Sequence, residues 1–288
     1  MRVVSDIGEL EPAERAVAIG TFDGVHRGHR RVLEAARDSG LRSAVLTFDP
    51  HPRAVLGNQV ELLTTFERRL ELLAEIGLDD AVVVEFTPEL AATPPDVFAN
   101  ELLRPLGTRR IVGGADFRFG HRRAGDLTLL ETLGFEVERV PLLDGVSSSA
   151  VREALRGGET AAAAALLGRP AEVEGIVVSG DARGGTLGFP TANLRAEQDL
   201  LVPAFGIYAG SAAGHRAAVS IGTNPHYGGR ERRIEAFLLG FEGDLYGRRL
   251  VVELWQRLRD EQAFGSEQEL VAQITRDVEA TRAATRPV

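Results

Sequence analysis

The sequence predicts an α/β doubly wound domain followed by an antiparallel β-barrel domain with a terminal helix. In the first half of the chain, short apolar runs alternate with segments whose apolar residues recur at helical spacing. That alternation is typical of a parallel sheet covered by helices on both faces. Beyond Pro170, strand-like runs separated by turn residues follow one another until a last helical segment. We therefore expect two domains, at residues 1–168 and 169–288.

The composition argues against several classes of protein. Of the 288 residues, 44% are hydrophobic and 26% are charged, as in water-soluble globular proteins. The formal net charge of −9 argues against a general binder of nucleic acid or of membrane surfaces, because both need a basic footprint. No apolar run approaches the roughly 20 residues of a membrane span, and the N-terminal stretch lacks a signal-peptide core. We expect a cytoplasmic protein with neither nucleic acid nor membrane as a partner.

Two residue types are absent from the sequence, and each absence limits the chemistry. Without cysteine there is no disulfide, no thiolate nucleophile and no cysteine-ligated zinc. All 33 basic residues are arginine, so no Walker A lysine can contact phosphates and no side-chain amine can form a Schiff base. Phosphate chemistry must therefore depend on backbone N–H groups, arginine, histidine and a metal ion.

The stretch Ala16–His29 (AVAIGTFDGVHRGH) predicts a strand, a glycine-rich turn and the start of a helix. A helix N-terminus presents unpaired N–H groups that suit phosphate oxygens, and glycine lets a backbone approach a ligand closely. His26 and His29 lie at that start, where an imidazole can donate a hydrogen bond to a charged phosphate. From the spacing alone, a glycine-rich turn with two surface histidines is an equal alternative.

The other elements of the first domain follow from apolar periodicity. Strands are predicted at residues 43–48, 81–86, 110–112 and 135–140, and helices at residues 66–76 and 95–103. Gly77 stands where a C-cap glycine is expected. His51, in the turn DPHPR, either braces that turn or faces the cleft at the carboxyl ends of the strands, and bracing is the favoured interpretation.

Two further segments of the first domain carry candidate binding residues. Asp116 and Phe119 (GGADFRFG) follow a predicted strand, where a flat ligand could stack on a ring; ordinary core packing is the alternative. The stretch Ser147–Arg152 (SSSAVR) precedes a helix, and its hydroxyl, backbone and guanidinium donors can hold a pyrophosphate. A plain N-cap serine is the alternative there.

An alanine-rich helix predicted at residues 159–167 ends at Gly168-Arg169-Pro170, which places the domain boundary. Strands follow at residues 173–178, 207–209, 217–221, 234–239 and 250–258. Ser266 and Glu269 form a capping-box pattern before the terminal helix.

The segment Gly180–Leu194 (GDARGGTLGFPTANL) is the second candidate site. A glycine-rich loop can wrap a phosphate chain through backbone N–H groups. Thr191 and Asn193 would point to one side if the segment is extended, and both supply neutral oxygens of the kind that Mg²⁺ accepts beside phosphate oxygens. A mobile surface loop is the alternative.

The first of these motifs resembles a known family. HRGH resembles the HxGH signature of the nucleotidyltransferase superfamily, and GTFDGVHRGH resembles the adenylyltransferase half of the bacterial bifunctional riboflavin kinase/FAD synthetases. SSSAVR resembles their SSTxIR element. The resemblance implies a Rossmann-like nucleotidyltransferase fold and catalytic roles for His26 and His29. It further implies that ATP phosphates contact Gly20, Phe22, Asp23, Gly24, Ser147, Ser148, Ser149 and Arg152, and that the flavin contacts Asp116 and Phe119.

The second half resembles the riboflavin kinase domain of the same family through GFPTANL, SIGTNP, IEAFLLGFEGDLYG and LRDEQAFGSEQEL. Two positions depart from the family pattern: Gly185 stands where arginine is usual, and Gly240 where aspartate is common. The resemblance implies that ATP contacts Gly180, Gly184, Gly188, Thr191 and Asn193, and that Thr191 and Asn193 also hold the metal. It implies that Glu235 is the general base of the kinase step. It further implies that the flavin is covered by Arg259, Glu261 and Phe264.

The resemblance thus implies a transferase that phosphorylates riboflavin to FMN and adenylylates FMN to FAD, with release of pyrophosphate. Mg²⁺ is the implied cofactor, ATP the co-substrate, and riboflavin, FMN and ATP the small-molecule partners; a homo-oligomer is left open. A tRNA-synthetase-like adenylating enzyme typically needs a lysine-bearing loop, which this chain lacks. A flavin-binding regulator without one or both activities is the other alternative, for which Gly185 and Gly240 leave room and against which the intact motifs argue.

Overall fold

A computed structural model describes residues 1–180, 187–223 and 232–287. These residues form two compact units: the first comprises residues 1–61 and 66–146, and the second comprises residues 62–65 together with the chain from Ser147 onward. The predicted domain boundary after residue 168 stays a prediction about where an independently folding domain begins.

The first unit is built on a six-stranded parallel sheet. Its strands are β1 (Arg2–Val4), β2 (Arg15–Ile19), β3 (Arg42–Asp49), β4 (Asp80–Glu85), β5 (Thr108–Gly114) and β8 (Glu136–Val140), and a separate antiparallel ribbon pairs β6 (Arg118–Phe119) with β7 (Gly125–Asp126). The sheet order is β1-β4-β3-β2-β5-β8, with every pair parallel. The helices are α1 (Arg27–Arg37), α2 (Pro52–Val55), α3 (Phe66–Glu75), α4 (Pro88–Ala91), α5 (Pro95–Phe98) and α6 (Leu127–Thr132).

The central strand β2 explains why helices cover both faces of this sheet. All five of its residues are buried, and strand side chains alternate between the two faces. Val17 enters a hydrophobic cluster with Leu130 of α6. Its neighbour Ala18 enters a second cluster with Leu33 of α1 and Leu72 of α3. This two-sided packing confirms the predicted α/β doubly wound class.

The second unit contains a closed six-stranded barrel. Its strands are β9 (Ala171–Val178), β10 (Ala192–Arg195), β11 (Gly206–Ala212), β12 (His215–Thr223), β13 (Arg232–Leu238) and β14 (Arg249–Arg259). They close in the order β10-β13-β12-β11-β14-β9, with every pair antiparallel. Residues such as Val219, Ile234 and Leu254 fill the interior. The predicted antiparallel barrel is confirmed.

In the described part of the second unit, three helices accompany the barrel: α7 (Ser148–Arg156), α8 (Thr160–Leu167) and α9 (Glu267–Ala283). Leu155 of α7 and Leu167 of α8 share a hydrophobic cluster with Ala171 of β9. At the start of α9 the Ser266 hydroxyl accepts a hydrogen bond from the Glu269 N–H at 3.2 Å, so the predicted cap and terminal helix are both present.

Within the described residues, the sequence pattern missed four short strands, β1, β6, β7 and β10, and three short helices, α2, α4 and α6. β1 is three residues long and β10 four, too short for an alternating pattern to stand out from the flanking turn residues. β10 exists because β9 and β13 pair with its two edges. The helix predicted at residues 95–103 begins as α5 but continues as a π-helical turn over Ala99–Leu103.

We expect residues 147–288, expressed alone, to melt at a higher temperature than residues 169–288. The longer fragment keeps α7 and α8, whose leucines pack against Ala171, and burying one leucine contributes roughly 1.5–3 kcal/mol. In a domain of this size each kcal/mol moves the melting temperature by about 4 °C. Circular dichroism melts measure the difference, and equal melting temperatures would support an independent domain that begins after residue 168.

None of the helices in the described ranges combines the length and the apolar character needed to cross a membrane.

Candidate functional site

The loop between β2 and α1 is the first candidate site. Phe22 (φ 51°), Gly24 (φ 78°) and Val25 (φ 40°) all have left-handed backbone conformations, and Asp23 between them is buried. For a residue other than glycine this conformation costs on the order of 1–3 kcal/mol. A Cβ on Gly20 would lie 3.2 Å from the Phe22 ring, so the ring folds back over the loop. Strain stored at the carboxyl edge of a parallel sheet is typical of a ligand site.

The two histidines lie together at the start of α1. His26 is the N-cap, and its Nδ1 accepts a hydrogen bond from the His29 N–H at 3.2 Å. The two rings stack with centroids 3.6 Å apart, and the Phe22 ring meets His29 edge-on at 5.3 Å. A Cβ on Gly28 would lie 3.1 Å from His26 Cε1. The spacing of the motif therefore stacks both imidazoles at the N-terminus of α1, and His26 is a buried side chain rather than a surface one.

The environment of His29 keeps its imidazole neutral. Burial lowers the pKa of His29 well below its ordinary value of 6.5, and the charge of His26 lowers this pKa further. Among the described residues, the buried Nδ1 atom of His29 has no hydrogen-bond partner. A neutral imidazole with one unused ring nitrogen can exchange a hydrogen bond with a ligand that reaches it.

We expect the full chain to lose stability as the pH falls below about 6.5, in part because of His29. The unfolded chain binds a proton on this imidazole in that range, whereas the folded chain resists it, so the free energy of unfolding rises with pH there. Urea unfolding at about pH 7.5 and about pH 5.5 measures the loss. The His29→Gln variant should lose less stability than the parent, and an equal loss would show that other groups account for the pH dependence.

The start of α7 carries the predicted pyrophosphate-binding residues. The Ser147 hydroxyl accepts a hydrogen bond from the Ala150 N–H at 3.1 Å, so Ser147 caps the helix. Val146, one residue earlier, would lie 3.9 Å from a Cβ on Gly28. The predicted helix start is therefore confirmed, and capping accounts for the first serine. Phosphate binding stays a prediction for Ser147, Ser148, Ser149 and Arg152.

Phe119 and Asp116 lie in different surroundings. Phe119 is buried in the hydrophobic cluster of the first unit, where its ring lies 5.7 Å from that of Phe117 and 5.6 Å from that of Phe98. Asp116 is exposed in the turn after β5. Core packing thus accounts for the position of Phe119, and a flavin contact from either residue stays a prediction.

His51 braces the turn after β3. Its Nδ1 accepts a hydrogen bond from the Arg53 N–H at 3.1 Å, and the residue forms the N-cap of α2. The bracing interpretation of His51 is therefore correct.

The second candidate site lies on the outer wall of the barrel. Asn193 of β10 and Ser220 of β12 pair directly with Glu235 of β13 from either side. Directly opposed residues share one face of a sheet. Because Ile234 and Ala236 point into the barrel core, these three side chains face outward together.

Arg233 joins two of the predicted residues. Its Nη2 lies 2.5 Å from Glu235 Oε1, and its Nε and Nη2 donate to Asn193 Oδ1 at 3.3 Å and 3.2 Å. Two side-chain oxygens therefore converge on one positive charge. Arg233 was not predicted from the sequence, although an arginine two residues before Glu235 on a strand must share its face.

The predicted nucleotide contacts of the second half lie between residues 180 and 193, around the start of β10. A Cβ on Gly180 would clash with the Asn193 amide, so that amide packs directly on the glycine backbone. Asn193 Nδ2 donates to the Thr191 carbonyl at 3.4 Å, and Gly188 has a φ of 86°. Gly184, like Gly185, lies outside the described residues. Nucleotide binding by Gly180, Gly184, Gly188, Thr191 and Asn193 stays a prediction.

The end of β14 is tied to the terminal helix. The Arg259 guanidinium forms an ion pair with Asp277 of α9, with Nη2 2.7 Å from Oδ2. Its Cζ lies 6.0 Å from the centroid of the Phe264 ring. The geometry thus brings two of the three predicted flavin contacts into one cluster.

Glu261, the third predicted flavin contact, reaches back to the barrel wall. Its carboxylate packs against Gly222 of β12, where a Cβ would clash with it. The pKa of Glu261 is raised above its ordinary value. Desolvation of the carboxylate is the largest cause, the positive charge of Arg259 opposes it, and the negative charge of Glu235 adds to it. Glu261 and Glu235 therefore lie within electrostatic reach of each other, although contact of Arg259, Glu261 and Phe264 with a flavin stays a prediction.

Comparison with known proteins finds matches to both halves of the chain. A family model described as FAD synthetase matches residues 9–151, and one described as riboflavin kinase matches residues 167–285. The chain is 37% identical to a bifunctional riboflavin kinase/FMN adenylyltransferase of Listeria monocytogenes, over 96% of this chain and 94% of that one. It is also 37% identical to a protein of the same name from Escherichia coli K12, over 96% of each.

A solved structure matches almost the whole chain. A crystal structure from Streptococcus pneumoniae, described as a macrolide-efflux protein, superposes with a TM-score of 0.86 at 29% identity. The superposition covers 97% of this chain and 98% of that one.

Proposed function

The chain belongs to the bifunctional riboflavin kinase/FMN adenylyltransferase family, and on that premise we propose that its two halves act in turn on one flavin. The C-terminal half transfers the γ-phosphoryl group of ATP to riboflavin and forms FMN. The N-terminal half transfers the adenylyl group of a second ATP to FMN and forms FAD and pyrophosphate. The observation that carries the proposal is that each of the two family matches contains one of the two candidate sites.

In the adenylyl transfer, a phosphate oxygen of FMN attacks the α-phosphorus of ATP, and the bond to the bridging oxygen of the β-phosphate breaks. Catalysis of such a step depends on positioning and on donors aimed at the oxygens that gain negative charge. We assign those donors to the backbone N–H groups at the start of α1 and to His26 and His29. The unused Nδ1 of a neutral His29 supports this assignment, since that atom is buried but unpaired among the described residues.

In the phosphoryl transfer, a hydroxyl of riboflavin attacks the γ-phosphorus of ATP, and ADP leaves. The attacking hydroxyl must lose its proton, and we assign the acceptor to the Glu235 carboxylate. The ion pair with Arg233 favours the ionised form of that carboxylate, which is the form that can accept a proton. Asn193 and Ser220 flank Glu235 on the same face of the barrel, so an ATP phosphate held by Asn193 would meet the hydroxyl beside the base.

The residues on the barrel wall fit a magnesium ion. Among the described residues, no cluster of three or more histidine, aspartate or glutamate side chains is arranged to hold a metal. Mg²⁺ in kinases needs few protein ligands, because phosphate and water oxygens complete its shell. Asn193 Oδ1 and Glu235 Oε1 already converge on a positive charge, that of Arg233. We infer that Thr191 and Asn193 hold the ion, which would neutralise charge on the ATP phosphates.

The reaction products test the proposed function. The purified protein is incubated with riboflavin, ATP and Mg²⁺, and flavins and nucleotides are separated by chromatography. We expect FMN to appear with ADP, followed by FAD with pyrophosphate. Accumulation of FMN without FAD would refute adenylyl transfer, and recovery of unchanged riboflavin would favour the flavin-binding regulator.

We expect Asn193→Ala to lower the rate of riboflavin phosphorylation and to raise its Mg²⁺ requirement. Loss of a ligand to a charged group costs on the order of 1.5–3 kcal/mol, or about ten- to a hundredfold in rate. A Mg²⁺ titration of FMN formation measures the change. Gln256→Ala removes an exposed amide from β14 and should leave the titration unchanged. If Asn193→Ala also leaves the titration unchanged, Asn193 does not hold the ion.

We also propose a cytoplasmic location and a set of small-molecule partners only. The acidic net charge of −9 supports this, because nucleic acids and anionic membrane surfaces attract basic proteins.

A further inference from the structure

Arg69 of α3 is buried beside the loop between β2 and α1, the first candidate site. It was not among the residues predicted from the sequence. It is 3% exposed. Its guanidinium lies over the Phe66 ring, with Cζ 4.9 Å from the ring centroid. A buried cation is costly unless other groups compensate it, so the partners of Arg69 indicate what the residue is for.

Those partners are two backbone carbonyls at the carboxyl edge of the sheet. Nη1 donates to the Thr21 carbonyl at 3.0 Å, and Nη2 donates to the Phe48 carbonyl at 3.1 Å. Thr21 lies two residues beyond the end of β2, and Phe48 is the penultimate residue of β3. Arg69 therefore bridges the ends of two adjacent parallel strands, where such sheets bind their ligands.

The contacts of Arg69 differ from those of Arg15, which is equally buried in the same unit. Arg15 forms an ion pair with Asp80 at 3.0 Å and donates to three backbone carbonyls. Arg69 has no ion pair within the described ranges, and its buried Nε has no hydrogen-bond partner there. Burial lowers the pKa of Arg69, and only the more distant charges of Asp23 and Asp49 oppose that effect. Such incomplete pairing is expected at functional sites rather than at stability sites.

The carbonyl of Thr21 precedes the strained part of the loop. Its orientation defines the peptide plane that leads into Phe22, whose φ is 51°. The Thr47 hydroxyl also donates to this carbonyl, at 3.4 Å. Because the Phe22 ring meets the His29 imidazole edge-on, a rotation of that peptide plane would move the ring away from His29.

We propose that Arg69 is a positioning residue for adenylyl transfer, which holds the Thr21 carbonyl and thereby, through Phe22, sets the orientation of the His29 imidazole. This inference rests on the proposed adenylyl transfer by the N-terminal half. Arg69 acts on a histidine that it does not touch, and its effect should therefore appear in turnover rather than in substrate binding.

The test uses the full chain with three variants and one control. Arg69→Met removes the donors, Arg69→Lys keeps the charge and one group of donors, and Thr47→Val removes the weaker donor to the same carbonyl. The control is Arg37→Met. Arg37 is the last residue of α1, far from the His26 end of that helix, and it also donates to a backbone carbonyl, that of Ile76. Phosphorylation of riboflavin by the same protein reports whether each variant is folded and active.

We expect Arg69→Met to lower kcat for FMN adenylylation by about 10- to 100-fold, with KM for FMN and ATP within about threefold of the parent. Arg69→Lys should remain within about fivefold of the parent, and Thr47→Val should lose about two- to fivefold. The imidazole NMR resonances of His29, identified by their loss in His29→Ala, should shift in all three variants. Arg37→Met should leave both kcat and these resonances unchanged.

Full adenylylation by Arg69→Met would overturn the inference. If Arg69→Met does not fold, the other two variants decide. The inference would then be overturned if both Thr47→Val and Arg69→Lys keep the parent kcat and the parent His29 resonances. Failure of the parent protein to make any FAD would instead refute the proposed function. A shift of KM alone would make Arg69 a binding residue and would also contradict the positioning role.

Discussion

His29→Ala is expected to abolish FAD formation from FMN and ATP while FMN formation from riboflavin continues at the parent rate. The alanine removes the imidazole that stacks on His26 and carries the unused buried nitrogen. Removing one preorganised donor from a charged transition state costs about 10²–10³ in rate. The His26 ring also loses the imidazole that stacks on it. The expected loss of FAD-forming rate therefore lies at or above that range.

The two activities of one protein provide the control for this variant. His29 lies in the first unit and the candidate kinase site in the second, so riboflavin phosphorylation reports on folding independently of adenylyl transfer. His215→Ala removes an imidazole that contacts the Leu239 carbonyl in the second unit and should retain FAD formation. Equal loss of both activities in a folded His29→Ala protein would contradict the assignment of two sites.

Glu235→Gln is expected to lower riboflavin phosphorylation by roughly 10²–10⁴, with little change in the affinity for riboflavin. The amide keeps the shape of the side chain and can still meet Arg233, but it cannot accept the proton of the attacking hydroxyl. Steady-state rates of FMN formation and a riboflavin titration together measure the two effects.

Glu253→Gln is the matched control for Glu235→Gln. Glu253 also stands on a barrel strand between inward-pointing residues, and it forms an ion pair with Arg286 at 2.6 Å. Its side chain is 20% exposed, against 24% for Glu235. This control should lower stability slightly and leave phosphorylation unchanged, and FMN adenylylation should continue in both variants. A Glu235→Gln protein that phosphorylates riboflavin within a few-fold of the parent would show that Glu235 is not the base.

The sequence predicted the features that depend on neighbouring residues. A glycine-rich turn between an apolar strand and a helical segment identified the loop around His26 and His29, because helix starts and tight turns have local signatures. The brace formed by His51 and the cap at Ser266 depend on contacts within three residues, and both were predicted correctly. The sequence left open whether Ser147 is an N-cap and whether Phe119 is a core residue. In the structure Ser147 caps its helix and Phe119 is buried in the core.

The class of both domains, their order and the motifs at both candidate sites could be predicted from the amino-acid sequence alone, because alternation, helical periodicity and contiguous motifs involve residues that are close together in the chain. The folded chain was needed to identify the side chains, distant in sequence, that complete those sites. Arg69 reaches Thr21 from a helix that begins 45 residues later in the chain, and Arg233 reaches Asn193 across 40 residues. Such contacts produce no pattern in the local sequence. They depend on which strands become neighbours in a sheet and on which buried polar atoms must then be hydrogen-bonded.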